Sequence, residues 1–205
     1  MEVMGENAKL FCLMYAHILC FRNGQFEETT ITEENVWVKD GVLTIKPTLQ
    51  DSKLIEQDNV VNLTKQGICT SHQLSECVIA TNTTNGTIIN PVKSGRINTK
   101  KGAVIKYGRI EVTAKLPEGD WLWPAIWMMP VEETYGIWPQ SGEIDIMESR
   151  GNNWTYAQGG NDIVSSALHW GPDAANDAWW RNNVKRKAQH TTFASKYPRP
   201  GIACL

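Results

Sequence analysis

Arg109-Ile-Glu-Val-Thr-Ala-Lys-Leu116 alternates polar and apolar residues without a break. Successive side chains of a strand point to opposite faces. Arg109, Glu111, Thr113 and Lys115 therefore share a wet face, and Ile110, Val112, Ala114 and Leu116 a covered one. The spacing predicts a strand from Lys106 to Leu116 with one solvated side. Pro117-Glu-Gly-Asp120 reads as a turn. Trp121–Met129 is expected to return as the next strand, with Trp121, Trp123 and Trp127 on one face and Leu122, Ile126 and Met128 on the other. Pro124 cannot donate to a ladder, so a bulge or an unpaired position is expected there.

The same signal extends in both directions. Asn35-Val-Trp-Val-Lys39 and Val42-Leu-Thr-Ile-Lys46 flank Asp40-Gly41, a two-residue hairpin signature because both turn positions require positive φ. Residues 50–95 are polar and weakly periodic, and read as long loops with one or two short strands. Gly142-Glu-Ile-Asp-Ile-Met-Glu148 and Ile163–Trp170 read as further strands. No amphipathic helix of any length is expected. Residues 173–190, with Lys185-Arg-Lys187, read as a turn or two with a solvated basic face. Many short strands joined by long loops predict an all-β fold, a β-sandwich or jelly roll.

With 205 residues, 41% hydrophobic and 20% charged, the chain is long enough to bury a core and is not of disordered composition. Its formal net charge of −2 is spread evenly over both halves, which leaves no nucleic-acid footprint. No apolar stretch is long enough to span a bilayer. The run Leu10–Phe21 has the length of a signal-peptide core, but Glu2, Glu6 and His17 argue against that use. Eight of nine tryptophans lie between Trp121 and Trp180. Such a cluster beside Gly and Pro suggests an aromatic-lined groove, while core packing is the commoner use of Trp.

Five cysteines show no metal-ligand spacing, so no metal site is expected. Cys69 and Cys77 enclose a short polar loop and fit a local disulfide; Cys12, Cys20 and Cys204 are expected outside the native framework. N-x-S/T sequons begin at Asn62, Asn82, Asn85 and Asn153. Together these features favour an oxidising compartment.

Glu143, Asp145 and Glu148 carry the specific chemistry. Three carboxyls within six residues repel one another unless their charge is used, and retaining glycoside hydrolysis uses a pair flanking the scissile bond. In a strand Glu143 and Asp145 share a face. Glu148, five residues from Glu143, falls on the opposite face of a regular strand. Either Glu148 belongs to the outer face or loop, or a bulge near Ile146-Met147 returns it to the face of the other two.

Ser141-Gly-Glu-Ile-Asp-Ile-Met-Glu-Ser-Arg-Gly-Asn152 resembles the active-site signature of glycoside hydrolase family 16, in its laminarinase form E-x-D-x-x-E. Tyr107-Gly-Arg-Ile-Glu-Val, Ala114-Lys-Leu-Pro, Trp121-Leu-Trp-Pro-Ala-Ile-Trp-Met and Leu168-His-Trp-Gly-Pro172 resemble the same family in the expected order. Asn35–Thr48 and Cys69…Cys77 are similar to its animal branch of β-1,3-glucanases and β-1,3-glucan recognition proteins. Residues 23–196 carry the likeness.

The resemblance implies a concanavalin A-like jelly roll, a secreted monomer, a β-1,3-glucan partner and no cofactor. A calcium site occurs in some relatives, but its usual ligands would fall in the atypical ends. Glu143 would be the nucleophile, Glu148 the acid/base and Asp145 the residue between them that helps separate their proton affinities. Trp138 would be a sugar platform. His169 would line the cleft, or equally serve as a satisfied polar residue beside it. Arg96 would stand near the non-reducing side, or equally pair with a strand carboxylate. Trp123 and Trp127 read as core rather than platform.

The ends depart from the family. Residues 1–22 form an atypical segment without strand alternation, the family-like domain occupies 23–197, and 198–205 form an atypical tail. The sandwich is thus expected to be incomplete at its C-terminal end. The leading expectation is retaining hydrolysis of β-1,3-glucans. The alternatives are a non-hydrolytic glucan recognition protein of innate immunity, whose members commonly lack one or both glutamates, and an inactive truncated form.

Overall fold

The computed structural model describes residues 25–187 except 31, 57, 58, 70, 72, 73, 83 and 101, together with the backbone of three short strands nearer the start. The chain divides into two compact units, Glu2–Val104 and Ile105–Leu205 with Met1. Strands dominate both, and the only α-helix among the described residues is α1 (Ser52–Glu56).

The first unit holds β1 (Glu2–Met4), β2 (Leu13–Met14), β3 (His17–Ile18), β4 (Glu27–Thr30), β5 (Val36–Lys39), β6 (Val42–Ile45), β7 (Thr48–Leu49), β8 (Val60–Asn62), β9 (Val78–Ala80), β10 (Val92–Gly95) and β11 (Ile97–Asn98). The expected hairpin is β5–β6, in register from Val36 opposite Ile45 to Lys39 opposite Val42. Asp40 and Gly41 turn it with φ of 51° and 76°, the doubly left-handed turn that matches strand twist. β10 runs parallel to β4 and antiparallel to β7.

Asn35 is fully buried under this corner. Its amide donates to the Lys46 carbonyl at 2.8 Å and the Thr48 hydroxyl at 3.0 Å, and its oxygen accepts from Thr30 and Thr32. A buried amide keeps its place only when satisfied in this way.

Three expectations for this unit need correction. The segment 1–22 lacks alternation, yet β1 pairs with β6, β2 with β11 and β3 with β4; pieces of two or three residues need backbone partners, not a periodic face. Residues 50–95 hold three strands, not one or two. They also hold the unexpected helix α1, whose first turn is tied to Asp51 by a bond from the Lys53 N–H to the carboxylate. Val61, Leu63, Cys77, Ile79 and Ile89 form the small core beneath these pieces, with Leu54, Ile68 and Cys69 against it. The Cys69–Cys77 disulfide is present, with Cα atoms 5.8 Å apart. Cys12, Cys20 and Cys204, the rest of the signal-like run and the 198–205 tail lie outside the described residues.

The second unit holds β12 (Thr113–Lys115), β13 (Ala125–Met128), β14 (Glu143–Ser149), β15 (Ile163–His169) and β16 (Val184–Lys187). The last four form an antiparallel sheet in the order β13–β14–β15–β16. The strand expected over 106–116 is a ladder only at β12. Exposure still alternates from Ile110 to Leu116, because alternation marks the faces of any extended chain, whereas a strand also needs a bonded neighbour. The strand expected from Trp121 begins at Ala125. Trp121 itself turns the chain with φ of 69°, and Pro124 stands immediately before the ladder. Lys185-Arg-Lys187, read as part of a turn, lies in the exposed edge strand β16.

Candidate active site

β14 lies between two partners, so its side chains are held by ladders on both sides. Gly142 enters it with φ of 84°, a conformation that costs a residue with a side chain more than it costs glycine. Opposite β15, Glu143 faces His169 and Asp145 faces Ala167, then the register jumps to Glu148 opposite Ser165. Opposite β13, Met147 faces Ile126 and Asp145 faces Trp127, with the register shifting between Ile126 and Trp127. Ile146 is the extra residue. This is the bulge read from the odd spacing, and it cancels the face inversion of a regular strand.

The three carboxyls consequently act on one another. Asp145, with a side chain only 4% exposed, is pushed up to about 6 by burial first and then by the charge of Glu143, with His169 opposing both. Burial also raises Glu148, helped by the charge of Asp145 and held back by a hydrogen bond from Trp123, with smaller opposing effects from His169 and Arg150. A buried carboxyl beside like charges holds its proton to higher pH than one in water.

Each glutamate is fixed by an indole. Trp138 Nε1 donates to Glu143 Oε2 at 2.6 Å, and Trp123 Nε1 donates to Glu148 Oε1 at 2.9 Å. Trp123 was expected in the core but is 58% exposed. It precedes Pro124 and the ladder, so no facing sheet claims it and its N–H is free to reach the carboxylate. Trp127 is half-buried on β13, across from Asp145.

His169 closes β15. Its Nε2 stands 2.9 Å from Asp145 Oδ2, ion-pair distance rather than an aligned hydrogen bond, since that oxygen has no hydrogen-bond partner among the described residues. Its Nδ1 stands 2.5 Å from Asp177 Oδ2. The ring lies between Trp138, tilted at 5.6 Å, and Trp179, stacked at 6.4 Å. Burial works to lower the His169 value, but the Asp177 bond and the charges of Glu143, Asp177 and Asp145 carry it above the ordinary range.

Asp177, Trp123 and Trp179 are the site residues that sequence reasoning missed. The only local mark of Asp177 is its place two residues before Trp179, whose N–H it accepts as in an Asx turn.

Arg96 belongs to the first unit, between β10 and β11. There its charge opposes the burial that raises Glu27. Asn82, Asn85 and Asn153 are exposed, each with its side-chain oxygen accepting the backbone N–H of the sequon threonine. Asn62 is half-buried at the end of β8 and accepts from Lys65. No group of three or more His, Cys, Asp or Glu side chains among the described residues is placed to hold a metal ion. No described helix is long and apolar enough to cross a membrane.

A family model described as the XgeA-like catalytic GH16 domain matches residues 51–193. The β-1,3-glucan-binding protein of Penaeus monodon is 36% identical over 182 residues, covering 85% of this chain and 49% of that protein. Glucan endo-1,3-beta-glucosidase A1 of Niallia circulans is 40% identical over 149 residues, covering 73% of this chain and 17% of the other. The laminarinase of Rhodothermus marinus superposes with a TM-score of 0.59 at 23% identity, over 92% of this chain and 58% of that one. That likeness gives the fold: an all-β, concanavalin A-like jelly-roll sandwich. The chain spans about half the length, or less, of these two curated relatives.

Proposed function

The chain belongs to glycoside hydrolase family 16, and from that premise we propose that it cleaves the O-glycosidic bonds of β-1,3-glucans with retention of configuration. Glu143 attacks the anomeric carbon as the bond to the departing sugar breaks, and Glu148 gives its proton to the leaving oxygen. A water then gives a proton to Glu148 and its oxygen replaces Glu143 at the same carbon. Two inversions restore the starting configuration. Asp145, between them, accepts or shares a proton as charge moves along the strand.

The observation that carries this reading is the bulged strand β14, whose two glutamates are each gripped by a separate indole. Burial and like charge raise Glu148 above an ordinary carboxylate, as a proton donor near neutral pH requires. The glucanase identity of 40% supports the substrate class. The disulfide supports an extracellular, oxidising setting; a free Cys69 in protein collected from outside the cell would count against that setting.

A second reading, glucan recognition without hydrolysis, draws on the 36% identity to the Penaeus monodon binding protein. Reducing-sugar release from laminarin by the purified chain, with Glu143→Gln beside it, separates the two. Hydrolysis predicts sugar release by the unchanged chain and a loss on the order of 10⁴-fold in the variant, which keeps the shape but not the nucleophile. Laminarin binding without release, unaltered by Glu143→Gln, overturns the hydrolytic reading.

A further inference from the structure

Asp177 does more than cap a loop. Its side chain is 7% exposed and spends both oxygens on the segment around the last residue of β15. Oδ1 accepts the backbone N–H groups of Trp170 at 3.1 Å and Trp179 at 3.2 Å, while Oδ2 meets His169 Nδ1 at 2.5 Å. The Ala178 N–H closes the same loop onto the Trp170 carbonyl at 2.8 Å. The far nitrogen of the ring, Nε2, stands 2.9 Å from Asp145 Oδ2.

A carboxylate only accepts, so the Asp177 contact requires the proton of Nδ1. A neutral imidazole with its proton on Nδ1 presents a lone pair at Nε2. That lone pair faces Asp145, whose carboxyl retains a proton unusually far up the pH scale through burial and Glu143. Nε2 then stands at ion-pair distance from Asp145 Oδ2 without an aligned hydrogen bond. The charged and titratable groups acting on His169 are Glu143 and Asp145 of β14 and Asp177 beyond β15; Glu148 is coupled to it more weakly.

We propose that Asp177 is a positioning residue that fixes His169 in the Nδ1–H tautomer, which leaves the basic Nε2 on the Asp145 side of the carboxylate strand. The assignment rests on the hydrolytic reading only for its consequence in turnover. The tautomer itself is a property of the unliganded protein.

The test is ¹⁵N NMR of the imidazoles in the full chain, which holds four histidines, as pH is raised, for the unchanged protein and for Asp177→Asn and Asp177→Glu. The unchanged protein keeps a protonated Nδ1 on His169 throughout while Nε2 titrates. Asp177→Asn preserves an acceptor for the loop N–H groups but turns an amide donor towards the ring. His169 then switches to the Nε2–H tautomer, and Asp177→Glu restores Nδ1–H. In an active protein Asp177→Asn lowers kcat with KM little changed.

A neutral His169 carrying its proton on Nε2 in the unchanged protein overturns the proposal, even if no variant folds. So does a tautomer that Asp177→Asn leaves as it was, or an active protein whose kcat the variant does not lower. Absence of hydrolysis in the unchanged protein counts against the hydrolytic reading instead, and leaves the tautomer to be decided by the spectra.

Discussion

Asp145→Asn is expected to inactivate the protein and to stabilise it, by an amount that depends on pH in a defined direction. The folded value of Asp145 lies at about 6, above the ordinary 3.8. Between those limits the folded protein still holds a proton that the unfolded chain has released, so this group makes stability fall as pH rises from about 4 through 6. Below the window both states are protonated and the residue costs nothing; above it the full penalty of burying a charge beside Glu143 is present.

At full strength the difference corresponds to about 3 kcal/mol. Solvent reaching the half-buried Glu143 and Glu148 screens part of it, leaving roughly 1–2 kcal/mol. Asparagine keeps the size, removes the charge and offers an N–H to Glu143. Urea unfolding followed by tryptophan fluorescence, extrapolated to water, should therefore show the variant roughly 1–2 kcal/mol more stable at pH 7.5 and equal to the unchanged chain below pH 4. His169 contributes in the other sense: its folded value is raised, so its stabilisation is present below its ordinary 6.5 and fades as pH rises through the folded value. That attraction is one of the opposing influences already included in the net rise of Asp145. A stability difference independent of pH, or a variant that becomes less stable than the unchanged chain as pH rises, would refute the electrostatic reasoning.

Three further outcomes follow from the site and the first unit. Glu148→Gln should lose laminarin hydrolysis but retain far more activity towards an aryl β-glucoside with a good leaving group, because that departure needs little protonation; equal loss on both substrates in initial-rate assays would remove Glu148 from the acid role. Trp138→Ala should weaken oligosaccharide binding by about 1 kcal/mol or more in titration calorimetry, since an indole face covers apolar C–H surface that alanine cannot, whereas unchanged affinity would leave Trp138 only its bond to Glu143. Replacing Cys69 and Cys77 together by serine should cost about 2.5 kcal/mol by the loop-length relation for a separation of 8 residues, read as a lower urea midpoint; no change would mean that the loop is held by the Leu63–Ile79 core alone.

The legible parts of this molecule are those in which side-chain pattern and backbone need coincide. Asp40-Gly41 gives the hairpin because both turn positions adopt left-handed φ. The E-x-D-x-x-E spacing left Glu148 either on the outer face or returned by a bulge, the family resemblance favoured the bulge, and the two ladders show it. Cys69 and Cys77 pair as their short separation implied. What the sequence does not mark are contacts set by where a strand begins. Trp121 and Trp123 continue an aromatic periodicity, but the ladder starts after Pro124, so Trp123 is released to Glu148 instead of entering a core. Asp177 has no periodicity at all. Its role comes from a loop that returns to the end of β15, eight residues after His169 along the chain, and only the fold brings the two together. The run from Arg109 to Val112 has the alternation of a strand but lies outside any ladder, a distinction that side-chain pattern does not encode.

The register change in β14 is felt on both sides, against β13 and against β15. In a crystal such a fault, crossing several rows at once, would be called a dislocation, and it would be pinned. To glide by one residue it must re-index two ladders together and turn Met147, buried at 7% exposure, outward while driving a glutamate inward. Thermal fluctuation therefore has no graded path by which to blur the spacing of the carboxyls. Mutational drift has little more: a residue gained or lost between Asp145 and Glu148 re-indexes both neighbours at once. The spacing is inherited as a single quantum of topology, maintained by the sheet as a whole rather than by the affinity of any one side chain for its place.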